Sequence, residues 1–528
     1  MGDMLQEEKF MLTNIYMLLM FLIFPLYVVD HYWQIGFYKW RFFLYVTLVY
    51  GVMMLVCYLP EAVACIRNRQ LRRRITKIDI AVAIYGCSVL LSFLFAPDRQ
   101  AAWFGTEGWY MGTAAQLLLI GVYFIISRSQ FSEKLLLASS LGGLLICMLI
   151  GICQRLGWDI FQLYDGLDPG VLSDFLSTIG NRTWMSGYVC VVSPIAFYFF
   201  WKTDDFWEKL LWGLFCGILC AGISSTYSDS VYVGMTAAGI GLFLLGIGQQ
   251  KRQISLLLLT DIWFVSALVM CLIRKLCGQA VRDARGVTSY VYQWQFALAG
   301  LGVCLLLTFF QIRFGKRKKS DVSPKQLSGP GKQIVKCVLI LGILAAADVS
   351  FLVMNSTGLL EKWTGVTVAN RYLYFDDAWG DNRGWTWRMV VEIARGLPLQ
   401  QKLFGVGADC FAYYCYSHPV YSGEFVRMWQ DTVLANAHNE WLNMLFCQGI
   451  FGGGTYLLLF ACCGILFLKS YWSAAETTDK LKSSLVPAVG LSVLAYMGHN
   501  FFCYQQVCAT APMFILIGAG AACMQARN

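Results

Sequence analysis

Charged residues and histidine are scarce in this sequence. Asp, Glu, Lys and Arg together make up 14% of the 528 residues and only 4 are His, whereas 58% are hydrophobic. The mean hydropathy is +0.56. Soluble domains carry about 25% charged residues, so this composition excludes an ordinary soluble enzyme and predicts a protein embedded in a lipid bilayer.

Metal-binding and disulfide signals are also lacking. The Cys and His residues show no spacing typical of a metal site, so no metal is expected. The sequence has 20 Cys, but nearly all lie within apolar runs, where a thiol behaves as a small hydrophobic group. Cys410 and Cys415 lie outside these runs and close together, which leaves both a disulfide and two free thiols open.

A nucleic-acid partner is not expected either. The net charge of +9 comes mainly from Lys and Arg clusters beside apolar runs, at 67–77 and 316–319. Such clusters are typical of the cytoplasmic loops of membrane proteins. The first apolar run is too long for a removable signal peptide and lacks a small-residue cleavage site, so it predicts an ordinary membrane helix.

Long apolar runs are abundant. About fourteen of them approach the length of roughly 20 residues that a helix needs to cross a bilayer, and about twelve cross if 208–223 and 231–248 form only a hairpin. The sequence therefore predicts an all-α polytopic membrane protein with both termini cytoplasmic, because the count is even and the basic clusters fall on that side. The runs lie at 10–29, 41–59, 79–96, 109–127, 134–153, 184–201, 208–223, 231–248, 254–273, 291–312, 334–353, 441–468, 484–503 and 507–524.

One long loop interrupts this pattern. It divides the chain into N-terminal membrane helices (1–353), a large extracytoplasmic loop (354–440) and C-terminal membrane helices (441–528). The loop contains too many aromatic residues for a disordered segment, so we expect it to fold. Within it, the spacing of Arg388, Glu392 and Arg395 predicts a short amphipathic helix from Trp385 to Arg395.

His438 lies where this loop meets the next membrane helix. A helix N-terminus carries unpaired N–H groups and the positive end of the helix dipole, which disfavour a charged imidazole. A neutral imidazole is the form that a general base needs. A histidine that only caps or packs at the interface is the alternative interpretation.

Several motifs around this histidine resemble the O-antigen ligase family, which also includes O-antigen polymerases and protein O-oligosaccharyltransferases. Looser similarities lie at 177–182 (STIGNR) and at 101–112. The combination is more specific than any single motif. The main motifs are NRGWTWR at 382–388, Leu397-Pro398, LFGVGADCF at 403–411, AHNE at 437–440, and the glycines Gly449, Gly452 and Gly453.

The resemblance implies a membrane glycosyltransferase with a GT-C-like fold in the cell membrane of a bacterium. Its donor would be a glycan linked to undecaprenyl diphosphate, and its acceptor a lipid, another glycan or a protein. The implied chemistry is metal-independent and inverting, and it requires no cofactor, because the diphosphate is already a good leaving group. His438 matches the essential histidine of the family and would activate the acceptor hydroxyl, with Glu440 or Asp409 orienting it.

The resemblance also implies which residues bind the donor. Arg383 matches the loop arginine of the family and is expected to hold the diphosphate, because a guanidinium binds phosphate oxygens bidentately. Arg388 would assist it, although both arginines could instead form structural ion pairs. The remaining residues expected in the substrate site are Asn439, Asp409, Asn181 and Arg182, of which Asp409 could equally be a turn residue and Asn181 and Arg182 a helix cap.

One departure from the family concerns the turn at 224–230. Many members carry a Ser-Arg pair there, whereas this chain has no arginine in the turn. Arg182, Arg371 or Arg388 could replace it, or the donor could be held differently.

Alternatives to a transferase remain open at this point. A transporter or lipid flippase would need ionisable residues within its helices, and Asp261, Asp348 and His499 are the few available. A structural membrane scaffold is a third interpretation. Ligase, polymerase and protein glycosyltransferase share the same motifs, so the sequence does not separate them.

Overall fold

The computed structural model describes residues 2–68, 75–278, 283–284, 286–314, 330–366, 368, 370, 372–430, 432–473 and 480–525. These residues are mostly helical, with loops and a short 3-10 turn (Leu172–Asp174) between helices. The described strands form one antiparallel β pair, in which β1 (Phe175–Leu176) is bonded to β2 (Gly180–Asn181). The prediction of an all-α protein is confirmed.

The helices of the first half of the chain follow the apolar runs closely. A short π-helical turn (Leu19–Ile23) separates α1 from α2. In chain order they are α1 (Gly2–Leu18), α2 (Phe24–Leu26), α3 (Ile35–Asn68), α4 (Lys77–Phe95), α5 (Arg99–Phe104), α6 (Thr113–Ile126), α7 (Glu133–Arg155), α8 (Arg182–Lys202), α9 (Phe206–Ser225), α10 (Asp229–Leu245) and α11 (Gln250–Cys277).

The second half adds the helices of the long loop and of the C-terminal region. They are α12 (Val287–Val291), α13 (Trp294–Phe314), α14 (Pro330–Ser356), α15 (Leu359–Thr364), α16 (Trp379–Gly396), α17 (Leu399–Phe404), α18 (Phe411–Ser417), α19 (Ser422–Trp429), α20 (Glu440–Cys447), α21 (Gly449–Ser473), α22 (Lys480–His499) and α23 (Val507–Gln525).

Eleven helices in the described part of the chain are long and apolar enough to cross a membrane. Three shorter apolar helices lie at Thr113–Ile126, Asp229–Leu245 and Ser484–His499. Each predicted span overlaps one of these helices, as expected for a multi-pass membrane protein. Of the two least secure runs, 208–223 lies in the full-length helix Phe206–Ser225, whereas 231–248 lies in a shorter one.

The predicted span 441–468 is interrupted, because α20 ends at Cys447 and α21 begins at Gly449. Gly449 has a φ of +70°, a conformation that glycine adopts without strain. The carbonyl groups released at this break accept hydrogen bonds from the loop: Val406 N–H donates to Phe446 O at 3.3 Å and Gly407 N–H to Cys447 O at 2.8 Å. The loop backbone thus replaces the helical bonds that the break removes.

Burial separates the centre of the helix bundle from its periphery. In α8 and α23, 89% of the most apolar window is buried within the protein, whereas the figure is 17% for α13 and 28% for α11. The outer helices therefore present apolar side chains outward, as a lipid-facing helix does. The starts of α8 and α23 and the end of α22 lie at the centre of the bundle.

The long loop has a hydrophobic core of its own. The predicted amphipathic helix lies within α16, where Met389, Val390 and Ile393 are buried and Arg388 is exposed, and α16 ends at Gly396, one residue beyond the predicted end. These apolar residues pack with Phe411 and with Ala101 of α5, among others. The loop is therefore folded and joined to the helix bundle.

Candidate functional site

Arg383 lies where α16 changes direction. The three residues before it, Gly380 to Asn382, have left-handed backbone conformations with φ between 57° and 66°. The side chain is partly buried, and its two terminal nitrogens donate to Gly380 O and to Phe502 O, the latter at 3.1 Å. Its Nε is buried and has no hydrogen-bond partner. Within the described residues this guanidinium forms no ion pair, so its charge is not balanced by a carboxylate.

Arg388 lies in a different environment. Its Nε and Nη2 bind the two carboxylate oxygens of Asp377 at 3.0 and 2.7 Å, and the side chains are 50% and 56% exposed. This ion pair raises the pKa of Arg388, chiefly through the hydrogen bonds to Asp377. The structural ion pair considered above is thus present for Arg388 and not for Arg383.

His438 lies near Arg383. Trp387 of α16 donates through Nε1 to Ala437 O at 3.0 Å, which ties the helix of Arg383 to the turn of His438. His438 has a φ of 49°, and its backbone N–H donates to Asn436 Oδ1 at 3.0 Å. Burial and the nearby Arg383 guanidinium lower the pKa of His438 to about 3. The imidazole is therefore neutral at physiological pH.

Asn439 and Glu440 begin the following helix. Asn439 is the N-cap of α20, and its Oδ1 accepts from Leu442 N–H at 2.9 Å. The Glu440 carboxylate is buried and accepts hydrogen bonds from Tyr456, Tyr496 and Asn500. Burial raises its pKa to about 7, and these hydrogen bonds lower it. The structure directs Glu440 into the bundle rather than toward the His438 ring.

A segment that the sequence did not indicate, 500–506, forms the facing wall of the site. It connects α22 to α23. Phe502 supplies the carbonyl that Arg383 binds, and the Tyr504 ring lies edge-on to His438 with 5.2 Å between centroids. The signal for this wall was the aromatic run FFCY at 501–504, directly after His499-Asn500.

The start of α8 reaches the same segment. Asn181 is the N-cap and accepts from Thr183 N–H at 2.8 Å, so the helix-cap interpretation describes its present contacts. Thr183 Oγ1 lies 3.2 Å from the Tyr504 hydroxyl. Arg182 lies 3.4 Å from Asp174 and donates to Tyr227 O at 3.0 Å.

Three arginines surround Tyr227, in the turn that lacks the expected arginine. Besides Arg182, the buried Arg155 lies over the Tyr227 ring at 4.5 Å, and Arg274 donates to its hydroxyl at 2.6 Å. Of the replacements expected from the sequence, Arg182 contacts this turn, Arg388 pairs with Asp377, and Arg371 lies outside the described residues. Arg155 and Arg274 were missed because each is near the end of an apolar helix.

Asp409 connects the loop to the 105–112 turn. One of its carboxylate oxygens accepts from Thr106 N–H at 2.9 Å and from Met111 N–H at 3.0 Å. Burial raises the pKa of Asp409 to about 7, and the two backbone hydrogen bonds lower it. Asp409 is therefore a structural tie in this structure. Nearby, Cys410 and Cys415 are buried free thiols, so the disulfide is not formed.

Comparison with known proteins adds no relative. No protein-family model matches the chain, and a search of curated proteins finds no match. No group of three or more His, Cys, Asp or Glu in the described ranges could hold a metal ion. The residues of the site are therefore the basis for a functional proposal.

Proposed function

We propose that this protein is a membrane glycosyltransferase of the O-antigen ligase type. It would transfer or polymerise a glycan from an undecaprenyl diphosphate-linked donor onto a lipid, glycan or protein acceptor. The observation that carries the proposal is the pairing of Arg383, a guanidinium with no carboxylate partner among the described residues, with the neutral imidazole of His438. The sequence motifs support the choice of family, and the pairing of Arg383 with His438 supports the chemistry.

Arg383 is suited to the donor diphosphate. A partly buried guanidinium without a counterion attracts an anion strongly, and its buried Nε is a donor still without a partner. As the bond between the sugar C1 and the phosphate oxygen breaks, negative charge grows on the leaving diphosphate. Arg383 would stabilise that charge in the transition state.

His438 is suited to the acceptor. The acceptor oxygen attacks C1 from the side opposite the diphosphate, and its proton passes to the imidazole, so the sugar configuration inverts. A pKa of about 3 makes the free imidazole a weak base. Donor binding would balance the charge of Arg383, which is one of the two causes of the low pKa, so His438 would become more basic once the donor is in place.

The proposed site faces the outside of a bacterial cell membrane, with both termini in the cytoplasm. This orientation follows from the Lys and Arg clusters of the sequence. It places Arg383 and His438 where a lipid-linked glycan would be presented after export.

The test is glycan transfer in proteoliposomes that contain the host's lipid-linked glycans, with wild type compared with His438→Ala. General acid–base catalysis contributes about 10²- to 10⁴-fold, so we expect a loss in that range. His418→Ala is the matched control, because His418 lies in the same loop and its Nδ1 accepts backbone hydrogen bonds from Val420 and Tyr421. Full activity in His438→Ala, or an equal loss in both variants, would refute the proposed role.

A further inference from the structure

A chain of hydrogen bonds buried in the bundle joins Glu440 to His499. Asn500 lies between them: its Nδ2 donates to Glu440 Oε2, and its Oδ1 is 2.5 Å from His499 Nδ1. The other ring nitrogen, His499 Nε2, lies 2.8 Å from Ser186 Oγ. Glu440, His499 and Asn500 are each 1% exposed. Water therefore does not solvate either ionisable group.

The partners fix the positions of the protons on His499. The Asn500 amide must present its NH₂ group to the carboxylate, so its oxygen faces His499 and can only accept. His499 Nδ1 therefore carries a hydrogen. The Ser186 hydroxyl has two other acceptors for its single hydrogen, Thr183 O at 2.9 Å and Ser228 Oγ at 3.2 Å, so we assign Ser186 Oγ as the acceptor from Nε2. A histidine that donates through both nitrogens is an imidazolium.

The partners of Glu440 favour the opposite charge. Tyr456 and Tyr496 both donate their hydroxyl hydrogens to the carboxylate. Gln505 Nε2 in turn donates to the Tyr456 oxygen at 2.8 Å, which leaves the Tyr456 hydrogen for Glu440. Every neighbour of this carboxyl that the hydrogen bonds identify is a donor, which is the environment of an anion.

We infer that Glu440 and His499 form an ion pair bridged by Asn500, and that this pair positions the 500–506 wall of the site. The wall is held directly as well, because Glu440 N–H donates to Asn500 O at 2.9 Å. Phe502 O then meets Arg383 and the Tyr504 ring meets His438. Glu440 and His499 act through these neighbours and are positioning residues. The catalytic consequence rests on the proposed function, whereas the ion pair does not.

Thermal unfolding of the purified protein in detergent tests the ion pair of Glu440 and His499. This measurement requires no activity assay. Glu440→Gln and His499→Gln each leave one buried charge without its counterion, which is strongly destabilising. We expect each single variant to lower the unfolding midpoint, and the double variant to lower it by less than the sum of the two. Midpoint shifts that simply add would overturn the ion pair.

Nitrogen NMR of protein with ¹⁵N-labelled histidine gives a second measurement that does not depend on destabilised variants. At pH 8 we expect the signals of one histidine to show an imidazolium, and these signals to be absent from His499→Gln. Cys503→Ala tests the other candidate counterion, because the Cys503 thiol interacts with His499 as well as donating to Ser230 Oγ at 3.2 Å. Loss of the imidazolium signals in Cys503→Ala, or a neutral His499 in wild type, would refute the pairing with Glu440.

The transfer assay then tests positioning separately. We expect Glu440→Gln to lower kcat more than it raises KM for the donor, with partial recovery in the double variant. A change confined to KM would contradict positioning of the reacting groups. If no transfer is found in wild type, the proposed function fails, while the unfolding and NMR results still decide on the ion pair.

Discussion

The arginines of α16 allow a sharp test, because Arg383 and Arg388 lie on one helix in opposite environments. Each hydrogen bond to a charged group contributes about 1.5–3 kcal/mol, so a guanidinium that binds phosphate through two donors contributes about 3–6 kcal/mol. At about 1.4 kcal/mol per tenfold change, Arg383→Ala should slow transfer by at least about 100-fold. Arg388→Ala removes a half-exposed ion pair that contributes about 0–1 kcal/mol. We therefore expect it to slow transfer by less than about 5-fold.

Arg383→Lys separates charge from geometry. Lysine keeps the positive charge but is a single point donor, so it cannot bind Gly380 O and Phe502 O as the two arms of the guanidinium do. We expect Arg383→Lys to transfer glycan more slowly than the wild type and faster than Arg383→Ala. The assay is single-turnover transfer at matched amounts of folded protein, together with binding of undecaprenyl diphosphate. Equal losses of transfer rate in Arg383→Ala and Arg388→Ala would refute the assignment of Arg383 to the donor diphosphate. A loss of less than about 5-fold in Arg383→Ala would refute it as well.

Two further predictions concern His438 and the 105–112 turn. Because the pKa of His438 is lowered to about 3, its imidazole stays neutral in the donor-free protein as the pH falls from 7 to 5, so the ¹⁵N signals of this ring, assigned by their loss in His438→Ala, should not change over this range; a titration with a midpoint near pH 6.5 would contradict the burial of this ring beside Arg383. Gly105→Ala should lower the unfolding midpoint, because a Cβ there would meet Asp409 Oδ2 at 2.4 Å and Gly105 has a φ of +80°. Gly108→Ala is its control, since Gly108 has a similar φ of +86° and nothing lies within 4 Å of the added Cβ. An equal effect of the two substitutions would show that backbone strain alone is responsible.

The membrane helices were predictable from the sequence because length and hydropathy decide which segments can cross a bilayer. The amphipathic helix around Arg388 was predictable for the same kind of reason, since its buried and exposed faces alternate with the helical period. The break at Gly449 was not, because the 405–407 backbone that stabilises it is distant in sequence.

The contacts of the site residues also could not be predicted from the sequence. Arg383 and Arg388 belong to the same motif, and only the fold places Asp377 beside one of them. Glu440 was expected to orient His438, but its carboxylate faces Asn500 in a helix connection 60 residues away. The roles assigned through the O-antigen ligase family remain predictions, since no family model matches the chain.

The hydrogen bonds between 405–407 and the end of α20 have a consequence for how the long loop can move. They are backbone bonds, so they do not depend on the identity of the side chains, and moving the loop away at this point would remove the bond to Phe446 O and leave Cys447 O with the bond from Ser92 Oγ at 3.3 Å. The loop is thus held near its middle as well as at its ends, which opposes a hinge motion of the whole loop. We therefore expect the loop to keep its position when a lipid-linked donor, the proposed substrate, binds.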